Sequence, residues 1–244
     1  MYFLLDANIV AGYYLPRSLN GKKAATRIEY ILNHIRSSGV HFLYIPNFCI
    51  AETISVFVKH SFGSWNRQVK KQVKGGRVLD KRVYEKLVRS FANDIHNGRF
   101  IYHYELNRYH ILGINLVAPI DHYYKISRGN SNNARPAGTF DHLIISMGIH
   151  LAHIHGRENV CILTADRRLC QILDKCKSNI GAGTIDKLKL KIAEDVCGKP
   201  FSAELFPDHL DLERCKDKDL KRVFGEWPVK YCKKDVRNIY RWKD

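Results

Sequence analysis

The 244-residue chain contains no apolar run approaching the roughly 20 residues that a membrane-spanning helix requires. Its opening, MYFLLDANIV, places an acid and an amide where a secretory signal would continue its apolar stretch, so a cytoplasmic protein with no membrane partner is expected. The seven cysteines, Cys49, Cys161, Cys170, Cys176, Cys197, Cys215 and Cys232, are odd in number and dispersed, and no two are spaced as C-x-x-C. That excludes both a disulfide framework and a zinc knuckle. Those inside FCIA and VCIL read as small core residues. A glycine-rich phosphate loop is also missing, since Gly181 and Gly183 form no such signature, and no serine or cysteine stands in a recognisable nucleophile setting.

Acids are few: 24 Asp and Glu stand against 40 Lys and Arg, a formal net charge of +16. A surplus of this size creates a field that attracts phosphates and points to nucleic acid as the partner. The 45% hydrophobic content is enough to bury a core and excludes a disordered polymer or a collagen-like repeat.

Tyr2 to Asp6 is a short apolar run ending in an acid and reads as a buried strand. From Lys22 to Ser37, Ala25, Ile28, Ile31, Leu32 and Ile35 recur at helical spacing, and Gly39 closes the segment as a C-terminal cap. His41 to Ile45 reads as a second strand, followed after Pro46 by a helix beginning at Asn47. A helix is expected from Lys81 to His96, a strand at Arg99 to Tyr104, and a short helix at Pro119 to Ser127. RGNSNNARPAG reads as a loop. Thr139 is a candidate cap for the helix FDHLIISMGIHLAHIH, with Leu143, Ile144, Met147, Leu151 and Ile154 on one stripe. Asn159 to Thr164 reads as a strand that feeds directly into the helix ADRRLCQIL. Alternation of this kind predicts an α/β fold with a central parallel β-sheet flanked by helices, and ligand sites beyond the carboxyl ends of the strands. The expected organisation is a core over residues 1–198, a largely helical insertion at about 60–138, and a basic C-terminal extension over 199–244 docked through Trp227 and Trp242.

The few acids fall at telling places. Asp6 ends the first strand. Asp166 follows a buried strand and opens a helix, and Asp141 lies in the first turn of another. Each alone is explained as a turn or cap residue that the helix dipole favours. Glu52 is different, because Phe48, Ile50, Ala51, Ile54, Val56 and Phe57 surround it and no basic residue follows within its helix until Lys59. A buried carboxylate needs a cation. A parallel sheet brings strand tips and helix starts to one edge, and carboxylates gathered there are tolerated when hard divalent cations such as Mg²⁺ or Mn²⁺ neutralise them.

FLLDANIV, the Glu of IAET, the Asp of TFDHLI and the strand-end LTADRRL resemble, in order and in local setting, the successive acidic motifs of PIN domains. The resemblance spans Met1 to about Val58 and about Thr139 to Leu173. It implies a metal-dependent ribonuclease, with Asp6, Asp141 and Asp166 as metal ligands and Glu52 completing the site directly or through water. Asn8 and Thr164 fall where such proteins carry assisting polar residues. In-line attack on a phosphodiester by metal-activated water would leave a 5′-phosphate and a 3′-hydroxyl, and an endonuclease is expected. The resemblance further implies a homodimer and, as in toxin members, a protein inhibitor of the antitoxin kind. Two other classes answer to the same acids: a structure-specific DNA nuclease of the superfamily, and a non-catalytic RNA-binding or scaffold protein.

Two further groups carry charge. Trp65, Arg67, Lys70, Lys71, Lys74 and Arg77 form a basic stretch suited to gripping RNA, the cations on phosphates and the indole on an unpaired base. His142, His150 and His153 lie on the polar side of one helix and read, with His155, as an exposed face rather than a metal site.

Overall fold

The computed structural model describes residues 1–16, 22–62, 81–98, 100–125, 137–193, 198–225 and 227. Five strands, β1 (Tyr2–Leu5), β2 (Phe42–Pro46), β3 (Ile101–Tyr104), β4 (Val160–Thr164) and β5 (Asp208–Asp211), form one sheet in the order β3-β2-β1-β4-β5. Every pairing is parallel. The long helices are α1 (Ala7–Tyr14), α2 (Lys22–Ser38), α3 (Asn47–Phe62), α4 (Lys81–His96), α5 (Arg108–Tyr124), α6 (Thr139–His155) and α7 (Arg167–Lys177). Two shorter ones, α8 (Ala182–Lys187) and α9 (Asp217–Phe224), follow. The α/β architecture and the parallel sheet are as the alternation predicts. No helix among the described residues is long and apolar enough to cross a membrane.

The central strands are buried on both faces, as helix-covered parallel strands must be. Phe3, Leu4, Leu5 and all of β4 are inaccessible. In α2, Ile28, Ile31, Leu32 and Ile35 are buried at the predicted spacing, and Gly39 just beyond takes φ +65°, a left-handed conformation that glycine adopts without steric cost. Helix α6 lies close against the sheet because Gly148 has no side chain; a Cβ there would stand 2.7 Å from Ile162 Cδ1. The same helix is tied to α5 by the Ser146 hydroxyl, which donates to the His110 carbonyl at 2.5 Å.

The sheet also departs from the sequence reading. Asp208–Asp211 adds a fifth strand beside β4, where the reading expected only an appended extension; four residues of mixed polarity carry almost no periodic signal. In the 60–138 region, β3 is built into the sheet as its edge strand. Helix α5 begins eleven residues before the expected Pro119, because Asn107 accepts from the Tyr109 and His110 amides, and the helix then runs through Pro119. Helix α3 buries a single stripe, Cys49, Thr53 and Phe57, rather than being apolar all round, and Glu52 is half-buried beside it. Ile154, expected on the buried stripe of α6, is 55% exposed. Near the end of the described chain, Trp227 packs against Tyr30 and Phe224, and Phe224 against Phe3. Trp242 lies outside the described residues.

Candidate active site

From β1 the chain steps outward through β2 to β3, then returns to the other side of β1 as β4. The order reverses between β1 and β4, and at such a reversal the carboxyl ends of neighbouring strands open a crevice. Asp6 stands at the tip of β1, its amide donating to the Leu163 carbonyl of β4 at 3.0 Å.

Asp6 occupies the residue before α1, yet its side chain makes no capping bond. Instead, its Oδ2 accepts from Thr164 Oγ1 and from Asn8 Nδ2, each at 2.6 Å. Both donors also accept a backbone bond, Thr164 Oγ1 from the Asp166 amide at 2.9 Å and Asn8 Oδ1 from the Ala165 amide at 3.1 Å. Asp6, Asn8 and Thr164 thereby lock the β1 and β4 tips together. The capping reading of Asp6 is set aside. For the other two it holds in part: Asp166 Oδ1 accepts from the Arg168 amide at 2.7 Å, and Asp141 Oδ2 from the Gly138 amide at 3.0 Å. The residue preceding α6 is Gly138, with Thr139 already in the helix.

The four predicted acids share one electrostatic environment. Burial raises the Asp6 carboxyl to about 6; the Thr164 bond opposes this, and the charges of Asp141, Asp166 and Glu52 push it further up. Glu52 is raised by burial and then by Asp141. Asp141 is raised by burial and, against the Gly138 bond, by Asp166. Among the described residues, Arg168 lies 3.7 Å from Asp166 and also lowers Asp141, as does His142, while Lys59 lowers Glu52; no cation opposes the rise of Asp6. Among the described residues, no group of three or more His, Cys, Asp or Glu side chains is gathered closely enough to hold a metal ion.

Three neighbours of the acids were given no place at the site by the sequence. Burial raises the thiol of Cys49, expected only as core, far above the ordinary range, and the charges of Asp6, Glu52 and Asp141 add to the rise. Phe48 and Phe140, from α3 and α6, stack with ring centres 5.1 Å apart, and Phe140 is 48% exposed. Their signal in the sequence is adjacency, since Phe140 immediately precedes Asp141.

The histidines require correction. His142 is buried and bonds Asp121 Oδ2 at 3.1 Å, and Asp121 is itself fully buried. His150 meets the Tyr104 hydroxyl at 2.5 Å and His110 Nε2 at 3.0 Å. Only His153 keeps the exposed position expected of all three. Helix α5, whose start was not anticipated, supplies both buried partners. The proposed RNA-gripping residues Trp65, Arg67, Lys70, Lys71, Lys74 and Arg77 lie outside the described residues.

Comparison with family models, curated proteins and solved structures returned no match to this chain.

Proposed function

We propose that this chain is a metal-dependent ribonuclease of the PIN type, cutting RNA internally to leave a 5′-phosphate and a 3′-hydroxyl. The observation that carries the reading is the state of Asp6: a buried carboxylate at the sheet's switch point, held by neutral donors while three other carboxylates raise its pKa. Among the described residues no cation partners this group. Asp6, Glu52, Asp141 and Asp166 offer the hard oxygen donors that Mg²⁺ and Mn²⁺ prefer, and Mg²⁺ binds through one or two carboxylates while keeping several waters, so it does not demand three gathered ligands. A cation there would supply charge neutralisation for the phosphate and a more acidic water.

The remaining work falls to the chain's own residues. Thr164 and Asn8 fix the orientation of the Asp6 carboxylate. The Gly138 and Arg168 amides hold one oxygen each of Asp141 and Asp166, so these carboxylates are preorganised at the crevice. The exposed Phe140 ring offers a flat surface beside Asp141 for an unpaired base, and the net charge of +16 draws the phosphate backbone toward a crevice that would otherwise repel it.

A second reading, an RNA-binding protein of the same fold without turnover, is favoured by the absence of a gathered ligand triad among the described residues. Incubation of mixed cellular RNA with the protein and Mg²⁺ or Mn²⁺, followed by mapping of the cut ends, decides between them. The Asp141→Asn variant should lose at least about a hundredfold of the cleavage rate, the scale on which preorganised electrostatic groups act, while keeping its thermal midpoint. Full activity of that variant would rule out this site, and RNA binding without cleavage by the wild-type protein would select the second reading. Matched DNA substrates separate a DNA nuclease from a ribonuclease.

A further inference from the structure

Among the described residues, the helices leave part of the sheet uncovered. On the face against which Gly148 seats α6, parallel register places Tyr2 beside Phe42, and Tyr44 beside Tyr102. Beyond α6 this face continues over β2 and β3 as a row of rings. Tyr2 and Phe42 stack with ring centres 5.2 Å apart and planes 14° from parallel, Tyr44 is 5.9 Å from Tyr102, and Tyr44 is 5.7 Å from Tyr104. The row ends where Tyr109 stacks on His150 at 5.9 Å. Phe42, Tyr102 and Tyr109 are about two-fifths exposed. A helix-covered parallel sheet ordinarily carries aliphatic residues on both faces; these are aromatic, mostly with a hydroxyl, and open.

We propose that this face is a stacking platform for single-stranded nucleic acid, RNA under the nuclease reading on which the inference rests. Unpaired bases stack on accessible aromatic rings, and a phosphate backbone is what a +16 chain attracts. A cation stands at one end of the row, where Arg108 lies over the Tyr109 ring at 4.9 Å; at the other end the His155 imidazole stacks on Tyr2 at 3.7 Å. Glu105, directly after β3, is 3.9 Å from His103. A second copy is the less complementary occupant, since it would bring two chains of charge +16 face to face. Tyr104 lies at the carboxyl end of β3, two strands from β1, so the platform reaches the sheet edge on which Asp6 and Asp166 stand.

The test is binding of a fluorescein-labelled 12-nucleotide oligouridylate, measured by anisotropy in EDTA at two salt concentrations, so that turnover plays no part. The Phe42→Ala/Tyr102→Ala variant should bind at least roughly tenfold more weakly with an unchanged salt slope, because stacking but no phosphate contact is lost. Tyr102→Trp, which keeps a ring, should retain wild-type affinity, and a duplex of equal length should ignore all these changes. Should the double alanine variant fail to fold, Phe42→Leu/Tyr102→Leu keeps the apolar cover and removes the rings. Oligothymidylate distinguishes the source: tighter binding of RNA assigns the platform to RNA, and equal or tighter binding of DNA assigns it to single-stranded DNA. Unchanged affinity in both double variants overturns the proposal, as does a drop in molecular mass by light scattering with RNA affinity intact, which would make the face a self-association surface. Ring-dependent binding without cleavage by the wild-type protein would sink the nuclease reading and leave the platform standing.

Discussion

Asp6 and Asp208 are carboxylates at opposite ends of neighbouring regions of one sheet, and their surroundings differ in kind. Asp208, at the start of β5, meets Lys177 Nζ at 3.2 Å and the Arg222 guanidinium. Burial pushes its carboxyl up, but these two cations outweigh it and hold the group below the ordinary carboxylate range. Asp6, at the end of β1, has an amide and a hydroxyl for partners and three carboxylates for neighbours, and burial with that like charge lifts it to about 6. An acid whose counter-charge the chain itself provides is complete as folded. An acid left among other acids has no counter-charge of the chain's own, and under the proposed reading a bound cation would supply it.

The contrast breaks most sharply through activity. Asp6→Asn should abolish metal-dependent RNA cleavage by at least about a hundredfold, whereas Asp208→Asn should leave it within a factor of two; comparable losses in the two variants, assayed side by side, would erase the distinction.

Their pH dependences should run in opposite directions. Asp6 has a folded pKa above the unfolded value of 3.8, so its stabilising share is fully present below pH 3.8 and is lost as pH rises through about 6. A shift of about two units corresponds to about 3 kcal/mol, or some 6–12 °C in thermal midpoint for a chain of this size. Thermal scans from pH 4 to 7 without metal should show wild type losing that much more than Asp6→Asn, and added Mg²⁺ should restore part of it by favouring the ionised form. A variant that follows wild type across that range would contradict the raised pKa.

Asp208 has the opposite sign: its stabilising share is present above the ordinary carboxylate pKa and lost as pH falls through the lowered folded value. Asp208→Asn should therefore cost about 1–3 kcal/mol at pH 7, most of it from leaving the largely buried Lys177 without its carboxylate, and the penalty should shrink below pH 4. Chemical denaturation at pH 7 and pH 3.5 measures both.

The smallest effect expected is that of Thr164→Val, which preserves shape and removes the hydroxyl that donates to Asp6 and accepts from the Asp166 amide. Stability should fall by about 1–2 kcal/mol, and the pH at which cleavage rises should move upward, because the bond that lowers the Asp6 pKa is gone. A uniform loss of rate with an unmoved pH profile would mean that Thr164 only supports the backbone.

Periodicity and position along the chain were enough to indicate the sheet's central strands, helices α2, α3, α4, α6 and α7, and the edge on which Asp6, Asp141 and Asp166 fall, because a strand–helix repeat leaves few ways to cover its apolar faces and one edge for its turns. Helix α1 and the first eleven residues of α5 were not indicated. The acids Asp6, Glu52, Asp141 and Asp166 were legible as residues for the same reason. Their state was not: whether Asp6 caps α1 or is held by Thr164 depends on β4 arriving beside β1 after more than half the chain has intervened. Likewise His142 and His150 looked solvated on a helical projection, and only the packing of α5 against α6 makes Asp121 and His110 their partners. Strand β5 and the open row of tyrosines belong to the same category. Four polar-flanked residues become a strand, and alternate aromatic residues on separate strands become one surface, only when the sheet sets their register. A sequence states which side chains are available and with what local spacing; long-range backbone pairing decides which of them lose water together, and burial of that kind sets both the charge of a carboxylate and the accessibility of a ring.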